Sequence, residues 1–304
     1  MKDGRAAASI DQSEFAALVG DLRPELHRYC ARLTGSVIDG EDVVQDSLAS
    51  AFVALKTLEQ APSMRAWLFR IAHNRAIDLV RSRALREADS LEVAADTADP
   101  QALDPLQRLV RKEAIDTAVS RFVELPPTQR SVVILKDVLG HSLEEIAVLL
   151  DTTVNAVKAH LARGRAQLNE VNGRPAIPLP KRPPSPQAAQ YVTLFNARDW
   201  DGLRALLADD VMLKQSSHPI RAGRADVGMF FTIYATMAGV RLAPAWLGDR
   251  EVIAVFEREG DSKPSYMMWL AWDGDRIAFI RDYRYDRYVV DEVDLIPADS
   301  RLSA

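Results

Sequence analysis

Apolar residues recur every three or four positions through the first half of the chain, which is the spacing of a single buried helix face. One such stripe covers residues 15–33, and Gly35 is expected to end its helix. A second helix is predicted to begin at Asp39 or Gly40, and a third near Ser63. The first half of the chain is therefore predicted to be all-α.

The pattern changes in the last third of the chain. Helix-like runs (AAQYVTLFNA, DWDGLRALLA and ADVGMFFTIYATMA) are followed by four strand-like runs: VRLAPAWL, EVIAVFER, SYMMWLAW and RIAFIRDYRYDRYVV. The turns GD, EGDSKP and DGD separate the strands, as in hairpins. This order predicts an α+β domain with helices packed on a curved antiparallel sheet. The last run is polar on both faces beyond Ile280, so it is expected to form a sheet edge or an interdomain contact.

Charge and proline divide the chain into segments. Residues 65–86 carry six arginines and one acid, whereas residues 87–104 carry six acids and no lysine or arginine. The acidic stretch is predicted to be an extended linker, and the prolines of residues 174–186 predict a second, stiffer one. The predicted segments are two helical modules (11–86 and 106–172), two linkers (87–105 and 173–186) and the α+β domain (187–292).

Composition excludes several classes of protein. The chain has 304 residues, which is the length of two or three domains. Of these residues, 48% are hydrophobic and 27% are charged, so the chain has enough apolar side chains to form packed cores. No run approaches the ~20 apolar residues of a membrane span, and the N-terminus lacks a secretory signal, so a cytoplasmic location is expected. Cys30 is the single cysteine, so internal disulfides and cysteine-cluster zinc sites are excluded, and no metal or cofactor is expected.

The strongest local motif is a helix-turn-helix over residues 143–162. Such a unit needs a small residue inside its first helix, a tight turn, and a buried β-branched residue in its second helix. Ala147, Asp151 and Val157 occupy these positions. Glycine is more usual at the turn, although aspartate tolerates turn geometry. Thr153 is predicted to cap the second helix.

Packing the apolar residues of that second helix inward leaves an outward face, made of Asn155, Lys158, Ala159, Ala162 and Arg163. A helix in this position enters the major groove of DNA. Lys158 and Arg163 suit guanine or phosphate, and Asn155 suits adenine or phosphate. Taken alone, the motif also fits any short helix pair with a solvated basic face.

Two blocks of the sequence resemble a bacterial sigma factor of the extracytoplasmic-function type. The block LHRYCARLTGSVIDGEDVVQDSLASAFVALKTL with MRAWLFRIAHNRAIDLVRSR resembles sigma region 2. The block LPPTQRSVVILKDVLGHSLEEIAVLLDTTVNAVKAHLARGRAQL resembles sigma region 4. The resemblance covers most of residues 15–86 and 106–168. It implies binding to core RNA polymerase, at the clamp helices of the largest subunit and the flap region, and to promoter DNA.

The resemblance also assigns roles to residues. It implies core-polymerase contacts by Glu41, Asp42, Gln45 and Asp46. It implies recognition of the promoter −10 element by Arg65, Arg70, Asn74, Arg75 and Arg81, beside a base-capturing loop over residues 56–65. Trp67 is better explained as a core residue than as a base-stacking platform. In this family the acidic linker threads the polymerase RNA channel. Composition alone favours a plain solvated spacer.

The second helix of region 4 departs from the usual family pattern. Ala159, His160 and Gly164 stand where family members often carry Ser, Arg and Ala. The departure puts the −35 sequence preference in doubt, but not the assignment.

Residues 187–292 resemble the SnoaL-like family, in which a cone-shaped sheet and helices surround a pocket. The phrase FNARDWDGLRALLADDV and the order of elements carry the resemblance. Enzymes of that family use an Asp/His pair, for which the candidates are His218, Asp226 and Asp282, with His218 expected at the surface. The predicted pocket residues, which could hold a small ligand, are Trp246, Tyr266, Trp269 and Asp282.

The sequence thus predicts a non-enzymatic transcription initiation factor with two all-α modules and a fused α+β domain that modulates activity in cis. Two alternatives stay open. One is a SnoaL-like isomerase or cyclase fused to DNA-binding helices. The other is a ligand-sensing helix-turn-helix regulator that binds intact duplex without polymerase.

Overall fold

The computed structural model of the chain describes residues 12–55, 63–96, 119–173, 182–216, 218–291, 293 and 295–298. The described residues up to 173 form one compact unit, and those from 182 onward form a second.

The first unit is entirely helical, as predicted. It consists of α1 (Gln12–Thr34), α2 (Val37–Leu55), α3 (Met64–Asp96), a 3-10 helix (Ser120–Glu124), α4 (Pro127–Val133) continued by a π-helical segment (Ile134–Val138), α5 (Leu143–Leu149) and α6 (Val154–Asn172). Its buried side chains form one hydrophobic cluster, to which all three long N-terminal helices and the helix-turn-helix contribute. Cys30 is fully buried in that cluster, as the sequence indicated.

The turn between α1 and α2 shows why these helices begin and end where they do. Gly35 adopts a φ of 78°, and its N–H donates to the Ala31 carbonyl over 2.8 Å, which ends α1. The Ser36 hydroxyl accepts from the Asp39 N–H over 3.3 Å, so α2 begins at Val37, slightly earlier than predicted. Gly40 lies inside α2, where a Cβ would come within 2.5 Å of the Ala31 nitrogen, so its absence lets the helices cross closely.

The acidic segment differs from its prediction. Residues 87–96 continue α3 as a helix instead of forming an extended linker. They contain no glycine or proline, and six of the ten are alanine, leucine or glutamate, so helix propensity favours this continuation despite the charge. The rest of the predicted linker, residues 97–105, lies outside the described residues.

The second unit combines short helices with a seven-stranded sheet. Its elements are α7 (Pro186–Asn196), α8 (Trp200–Ala205), β1 (Leu207–Gln215), β2 (Arg221–Ala222), α9 (Arg224–Gly228), α10 (Phe230–Ala235), β3 (Arg241–Leu247), β4 (Arg250–Phe256), β5 (Tyr266–Asp273), β6 (Arg276–Asp282), α11 (Tyr288–Asp291) and β7 (Ile296–Pro297). The strand order is β2-β1-β6-β5-β4-β3-β7.

Strands β3 to β6 form the antiparallel meander that the sequence predicted. Strand β1, which the sequence pattern did not reveal, pairs parallel to β6, with Leu213 opposite Ile280 and Gln215 opposite Asp282. Helices α7, α8 and α10 contribute Tyr191, Phe195, Leu203 and Tyr234 to the core over the sheet. The α+β architecture with helices on a curved sheet is thereby confirmed.

The last predicted strand is shorter than expected. Strand β6 ends at Asp282, and the chain then turns, with the Asp286 N–H donating to the Tyr283 carbonyl over 2.9 Å, before α11 begins. The Asp286 carboxylate accepts from the Ser216 hydroxyl. The alternating polar residues 281–286 were therefore wrongly taken as one two-faced strand. Buried side-chain contacts of Asp282 and Asp286 fix the turn instead.

Candidate nucleic-acid interface

The helix-turn-helix is formed by α5 and α6. Ser142 begins α5 with a reciprocal capping box, in which its hydroxyl accepts from the Glu145 N–H over 3.1 Å and the Glu145 carboxylate accepts from the Ser142 N–H over 2.7 Å. Asp151 adopts the turn with a φ of 51°, and the Thr153 hydroxyl caps α6 by accepting from the Ala156 N–H over 3.2 Å. Both predictions about this turn are confirmed.

The interior of the motif is also as predicted. Ala147 and Val157 are buried, with exposed fractions of 7% and 0%. The departure at Gly164 has a structural reason, because a Cβ there would lie 2.6 Å from the Val133 Cγ2 atom on α4. Glycine at 164 therefore permits close packing of α6 on α4 and is not an exposed position lost from a DNA-reading face.

All five residues predicted for the outward face of α6 are exposed: Asn155, Lys158, Ala159, Ala162 and Arg163. His160 lies beside them, with its Nδ1 atom 3.4 Å from the Arg163 Nη2 atom. Arg165 is held in a two-pronged ion pair with Asp137, at 2.9 and 2.5 Å. The helix thus presents two cations and one amide along a polar face.

The residues predicted to recognise the −10 element lie along α3 and are all exposed: Arg65, Arg70, Asn74, Arg75 and Arg81. Three of these side chains also contact other helices. Arg65 forms an ion pair with Glu25 of α1, and Arg70 donates to the Val148 carbonyl of α5 over 2.9 Å. Arg75 donates to the Ser50 hydroxyl of α2 over 2.5 Å.

Trp67 is partly buried and packs against the hydrophobic cluster of the first unit, in keeping with the core interpretation. Of the predicted base-capturing loop, residues 56–62 lie outside the described residues.

The four residues of α2 that were predicted to contact core polymerase differ in their exposure to solvent. Asp46 is exposed, and Asp42 and Gln45 are partly exposed. Glu41 differs from its prediction because its side chain is 0% exposed and forms an ion pair with Arg23 of α1. Its carboxylate therefore joins α1 to α2 in this structure instead of facing a partner. The spacing of residues along α2 could not predict this buried ion pair, because Arg23 lies on a different helix.

Sequence reasoning missed Arg130, a buried residue that helps to connect the two helical modules. Arg130 lies on α4 and is 4% exposed. Its guanidinium donates to the Leu33 carbonyl at the end of α1 over 2.5 Å, to the Val123 carbonyl over 2.6 Å and to the Leu125 carbonyl over 2.9 Å. Burial lowers the pKa of Arg130 to about 10, so it remains a cation at neutral pH. A buried arginine at a helix C-terminus satisfies carbonyls that lack helical partners.

In the second unit, two of the four predicted pocket residues lie in the same buried region. Asp282 is fully buried and accepts from the Gln215 side-chain amide over 2.6 Å and from the Arg284 N–H over 3.1 Å. Burial raises the pKa of Asp282 to about 6. The Tyr266 hydroxyl lies 2.6 Å from the Tyr234 hydroxyl, and the Asp282 charge helps raise the pKa of Tyr266, although burial is the larger cause.

The other two predicted pocket residues lie elsewhere. Trp246 lies under the Arg182 guanidinium, 5.4 Å from it. Trp269 lies under the Arg250 guanidinium at 4.8 Å and lines an open cavity of about 390 Å³ together with Trp272. Because side chains alternate along β5, Trp269 points away from the core face that holds Tyr266.

The Asp and His candidates do not form a hydrogen-bonded pair among the described residues. His218 is exposed, as predicted, and stacks on Tyr285 with ring centroids 4.2 Å apart. Asp226 is exposed on α9. The polar neighbours of Asp282 are instead Gln215 of β1, Tyr191 of α7 and Tyr234 of α10. The sequence pattern had placed the two tyrosines in helix-like runs and gave them no role at the pocket.

None of the helices in the described part of the chain is both long enough and apolar enough to cross a bilayer.

Comparison with known families gives two matches in the helical unit. Residues 18–86 match Sigma-70 region 2, and residues 119–168 match Sigma-70, region 4. In the second unit, a putative ketosteroid isomerase from Kribbella flavida is a structural neighbour, with 21% identity, a TM-score of 0.25, and coverage of 32% of this chain and 73% of that one. The sigma factor SigJ of Mycobacterium tuberculosis aligns over 90% of this chain and 98% of its own, with 20% identity and a TM-score of 0.34.

Curated relatives are closer in sequence. The ECF RNA polymerase sigma factor SigG of Mycobacterium tuberculosis is 32% identical over 235 residues, which covers 69% of this chain and 63% of SigG. The chain thus spans a little less than two thirds of the length of SigG. SigW of Bacillus subtilis is 30% identical over 167 residues, covering 53% of this chain and 89% of SigW. With both sigma regions present in order and nearly all of SigW covered, the chain belongs to the ECF sigma factors of RNA polymerase.

Proposed function

We propose that this protein directs core RNA polymerase to promoters and catalyses no reaction itself. The observation that carries the proposal is the exposed polar face of α6, held on a properly capped helix-turn-helix that follows a region-2 module in the same chain. A helix held in this way enters the major groove, where its early residues meet base edges.

The −35 element is the proposed target of α6. Lys158 and Arg163 are exposed cations, which suit guanine edges and phosphates, and Asn155 near the helix start suits adenine. Ala159 and Ala162 leave room for the groove wall and thymine methyl groups.

The −10 element is the proposed target of α3, through Arg65, Arg70, Asn74, Arg75 and Arg81. Melted DNA is held by cationic grooves, and α3 supplies four arginines along one exposed helix. The proposed contact with the polymerase clamp uses Asp42, Gln45 and Asp46 of α2, because the partly exposed Asp42 and the exposed Asp46 complement a basic surface. Glu41 is left out because of its buried pairing with Arg23.

The second unit is proposed to regulate the first in cis. Its buried groups do not favour the isomerase or cyclase alternative, because Asp282 is hydrogen-bonded to Gln215 and a backbone N–H, whereas His218 stacks on Tyr285 at the surface. A small ligand, if the unit takes one, would have access to the open cavity beside Trp269 and Trp272.

In vitro transcription with sigma-free bacterial core polymerase tests the proposal. The full chain, with a pool of candidate promoters, is expected to give initiation at discrete sites. The double variant Lys158→Ala/Arg163→Ala is expected to lose most of it, because two contacts of about 1–2 kcal/mol each are removed.

The matched control is Arg258→Ala/Lys263→Ala, which removes the same charge from an exposed turn of the second unit. Absence of initiation by the unaltered chain would overturn the proposal. Equal activity of the two double variants would remove α6 from the proposed DNA interface.

A further inference from the structure

We propose that the cavity between β4 and β5 of the second unit binds a small carboxylate that carries a flat apolar ring, and that Arg250 recognises the carboxylate. The inference deepens the proposed regulation in cis, on which it rests for its role, by naming the class of ligand and the residue that selects it.

The cavity exists because β4 and β5 separate before either strand ends. Pairing between them stops at Ile253 and Met268, although β4 begins three residues earlier and β5 continues to Asp273. Beyond this point β4 stays paired with β3, and β5 with β6. The space between the separated strands is an open cavity of about 390 Å³, which we call the strand-gap cavity (Arg250, Val252, Ile253, Trp269, Leu270 and Trp272). Pockets for small ligands commonly have volumes of about 300–1,000 Å³.

The lining of the strand-gap cavity suits a flat apolar ring. Val252, Ile253 and Leu270 contribute aliphatic side chains that are nearly fully buried. Trp269 and Trp272 are both partly exposed and add indole surface. Trp272 packs against the core of the unit, whereas Trp269 lies on the opposite face of β5, so a ligand between the strands meets aromatic surface towards both faces of the sheet.

Among the described residues, Arg250 is the one cation that lines this cavity. Its guanidinium lies over the Trp269 ring, 4.8 Å from the ring centre. Stacking on an aromatic face holds the guanidinium in place and leaves its N–H groups directed outward in the guanidinium plane. No carboxylate within the described part of the chain forms an ion pair with Arg250. The guanidinium is therefore positioned to bind an anion from outside the chain.

The two acids beside Arg250 in sequence are already engaged. The Asp249 carboxylate forms an ion pair with Arg182 over 3.1 Å. The Glu251 carboxylate accepts from the Ser185 N–H over 2.7 Å and from the Ser185 hydroxyl over 2.6 Å, at the start of α7. Because neighbouring side chains alternate along a strand, Glu251 points to the face opposite to Arg250. Neither acid neutralises the Arg250 guanidinium.

The local charge also selects the class of anion. A guanidinium binds both carboxylates and phosphates through paired N–H donors. Here one available cation lies near two acids, Asp249 and Glu251, which repel a doubly charged group more strongly than a singly charged one. The strand-gap cavity therefore favours a carboxylate over a phosphate monoester.

Isothermal titration calorimetry of the full chain with 2-naphthoate tests the proposal. 2-Naphthamide is the neutral analogue of similar shape, and 2-naphthyl phosphate is the doubly charged analogue. We expect saturable binding of 2-naphthoate that is about tenfold or more tighter than that of either analogue. Equal affinity for the acid and the amide would overturn the role of Arg250, and tighter binding of the phosphate would overturn the carboxylate class.

Substitution of Arg250 supplies the second test. Arg250→Gln removes the charge and keeps a polar side chain. The matched control is Arg241→Gln, because the Arg241 guanidinium lies over the Phe256 ring at 3.7 Å, in the same sheet but outside the cavity. We expect Arg250→Gln to weaken 2-naphthoate binding about 10- to 100-fold and Arg241→Gln to leave it unchanged. Thermal melting checks that both variants stay folded, and equal affinities of the two variants would contradict the proposal.

The position of the ligand is measured by two-dimensional NMR of the five tryptophan indole N–H groups. The signals of Trp269 and Trp272 are assigned through Trp269→Phe and Trp272→Phe. Both signals are expected to shift when 2-naphthoate is added, whereas the signal of Trp67 in the first unit is not. Shifts confined to other tryptophans would exclude the strand-gap cavity as the site.

The ligand site and the proposed function fail in different experiments. If 2-naphthoate does not bind but the chain initiates transcription with core polymerase, the ligand site is overturned and the proposed function stands. If 2-naphthoate binds with the expected selectivity to a chain that never initiates, the ligand site stands and the proposed function is overturned instead.

Discussion

The two helices that we propose to face DNA are in different situations. The outward face of α6 is exposed along Asn155, Lys158 and Arg163, and its buried face is held by α4 and α5. The basic face of α3 is exposed too, but Arg65 and Arg70 are engaged by groups of α1 and α5. The proposed −35 face of α6 is thus exposed, whereas two arginines of the proposed −10 face of α3 already contact other helices.

The difference matches what we propose that each helix reads. Duplex DNA offers its major groove without rearrangement, so a rigid, prepositioned helix suffices. A −10 element is read as melted single strand, which exists only after polymerase has bound.

The second unit shows a third situation, in which the polar groups are sealed inside. Asp282, Gln215 and Tyr266 are buried within the domain, where they bond with one another or with neighbouring tyrosines and the backbone. Buried polar groups of this kind influence stability and pH response more than surface recognition.

The largest effect is expected from Arg130→Met, which removes one buried connection between the helical modules. The substitution leaves the carbonyls of Leu33, Val123 and Leu125 without their common donor. We expect the first unit to lose about 2–4 kcal/mol of unfolding free energy. Urea denaturation followed by far-ultraviolet circular dichroism, which reports mainly on the helical unit, measures this loss.

The control for Arg130→Met is Arg86→Met, because the Arg86 guanidinium bonds only to Ser82 within its own helix among the contacts of the described residues. A loss below about 0.5 kcal/mol for Arg130→Met, the range of ordinary surface substitutions, would contradict the assigned role.

The second prediction separates α3 from α6 directly. Lys158→Ala/Arg163→Ala is expected to weaken binding of the free protein to promoter duplex by about 10- to 100-fold. Arg65→Ala/Arg70→Ala, with the same change in charge, should alter duplex binding far less and instead reduce initiation once polymerase is added. Fluorescence anisotropy on duplex DNA and runoff transcription provide the two readouts, and equal losses of duplex affinity would erase the distinction between the helices.

The third prediction concerns the buried carboxyl of the second unit. The folded-state pKa of Asp282, about 6, lies above its ordinary value of 3.8, so the folded protein binds this proton more tightly than the unfolded chain does. The resulting stability is fully present below about pH 4 and is lost as pH rises through 6. Asp282→Asn should therefore stabilise the second unit at pH 7.5, by about 1–2 kcal/mol, and flatten the slope between pH 4 and 6.5.

Tryptophan fluorescence during thermal unfolding is a suitable readout, because four of the five tryptophans, all except Trp67, lie in the second unit. Asp226→Asn, at an exposed position, is the control and should leave the pH profile unchanged. An unaltered slope in Asp282→Asn would show that another group controls the pH response.

The smallest effect is expected at the turn of the helix-turn-helix. Asp151 has a φ of 51°, a conformation that glycine adopts without the steric cost of a Cβ, so Asp151→Gly should be neutral or stabilising by about 0.5 kcal/mol. Arg198 has a similar φ of 61°, but its guanidinium donates to the Val240 carbonyl over 2.8 Å. Arg198→Gly should therefore destabilise its unit, and thermal melting of both variants would reveal opposite signs.

Local features of this fold were predictable because they depend on neighbours in sequence. The stop at Gly35, the cap at Thr153 and the turn at Asp151 are all made by residues within four positions of one another. The outward face of α6 follows from helical periodicity alone. Strand β1 was missed because its partner β6 is more than sixty residues away in sequence. The helical continuation of α3 over residues 87–96 was missed because the negative charge of this segment was given more weight than its helix propensity.

The sequence by itself thus determined the family, the order of modules and the faces presented by single helices, since periodicity, caps and family motifs are local properties. Only the tertiary structure decided which charged residues are available. Glu41, Arg130 and Asp282 have ordinary positions in the sequence, yet each is buried against a partner from another element. Arg65 and Arg70 are exposed but engaged for the same reason. The free energy of a charge depends on what lies within a few ångströms of it, and that environment is set by distant parts of the chain.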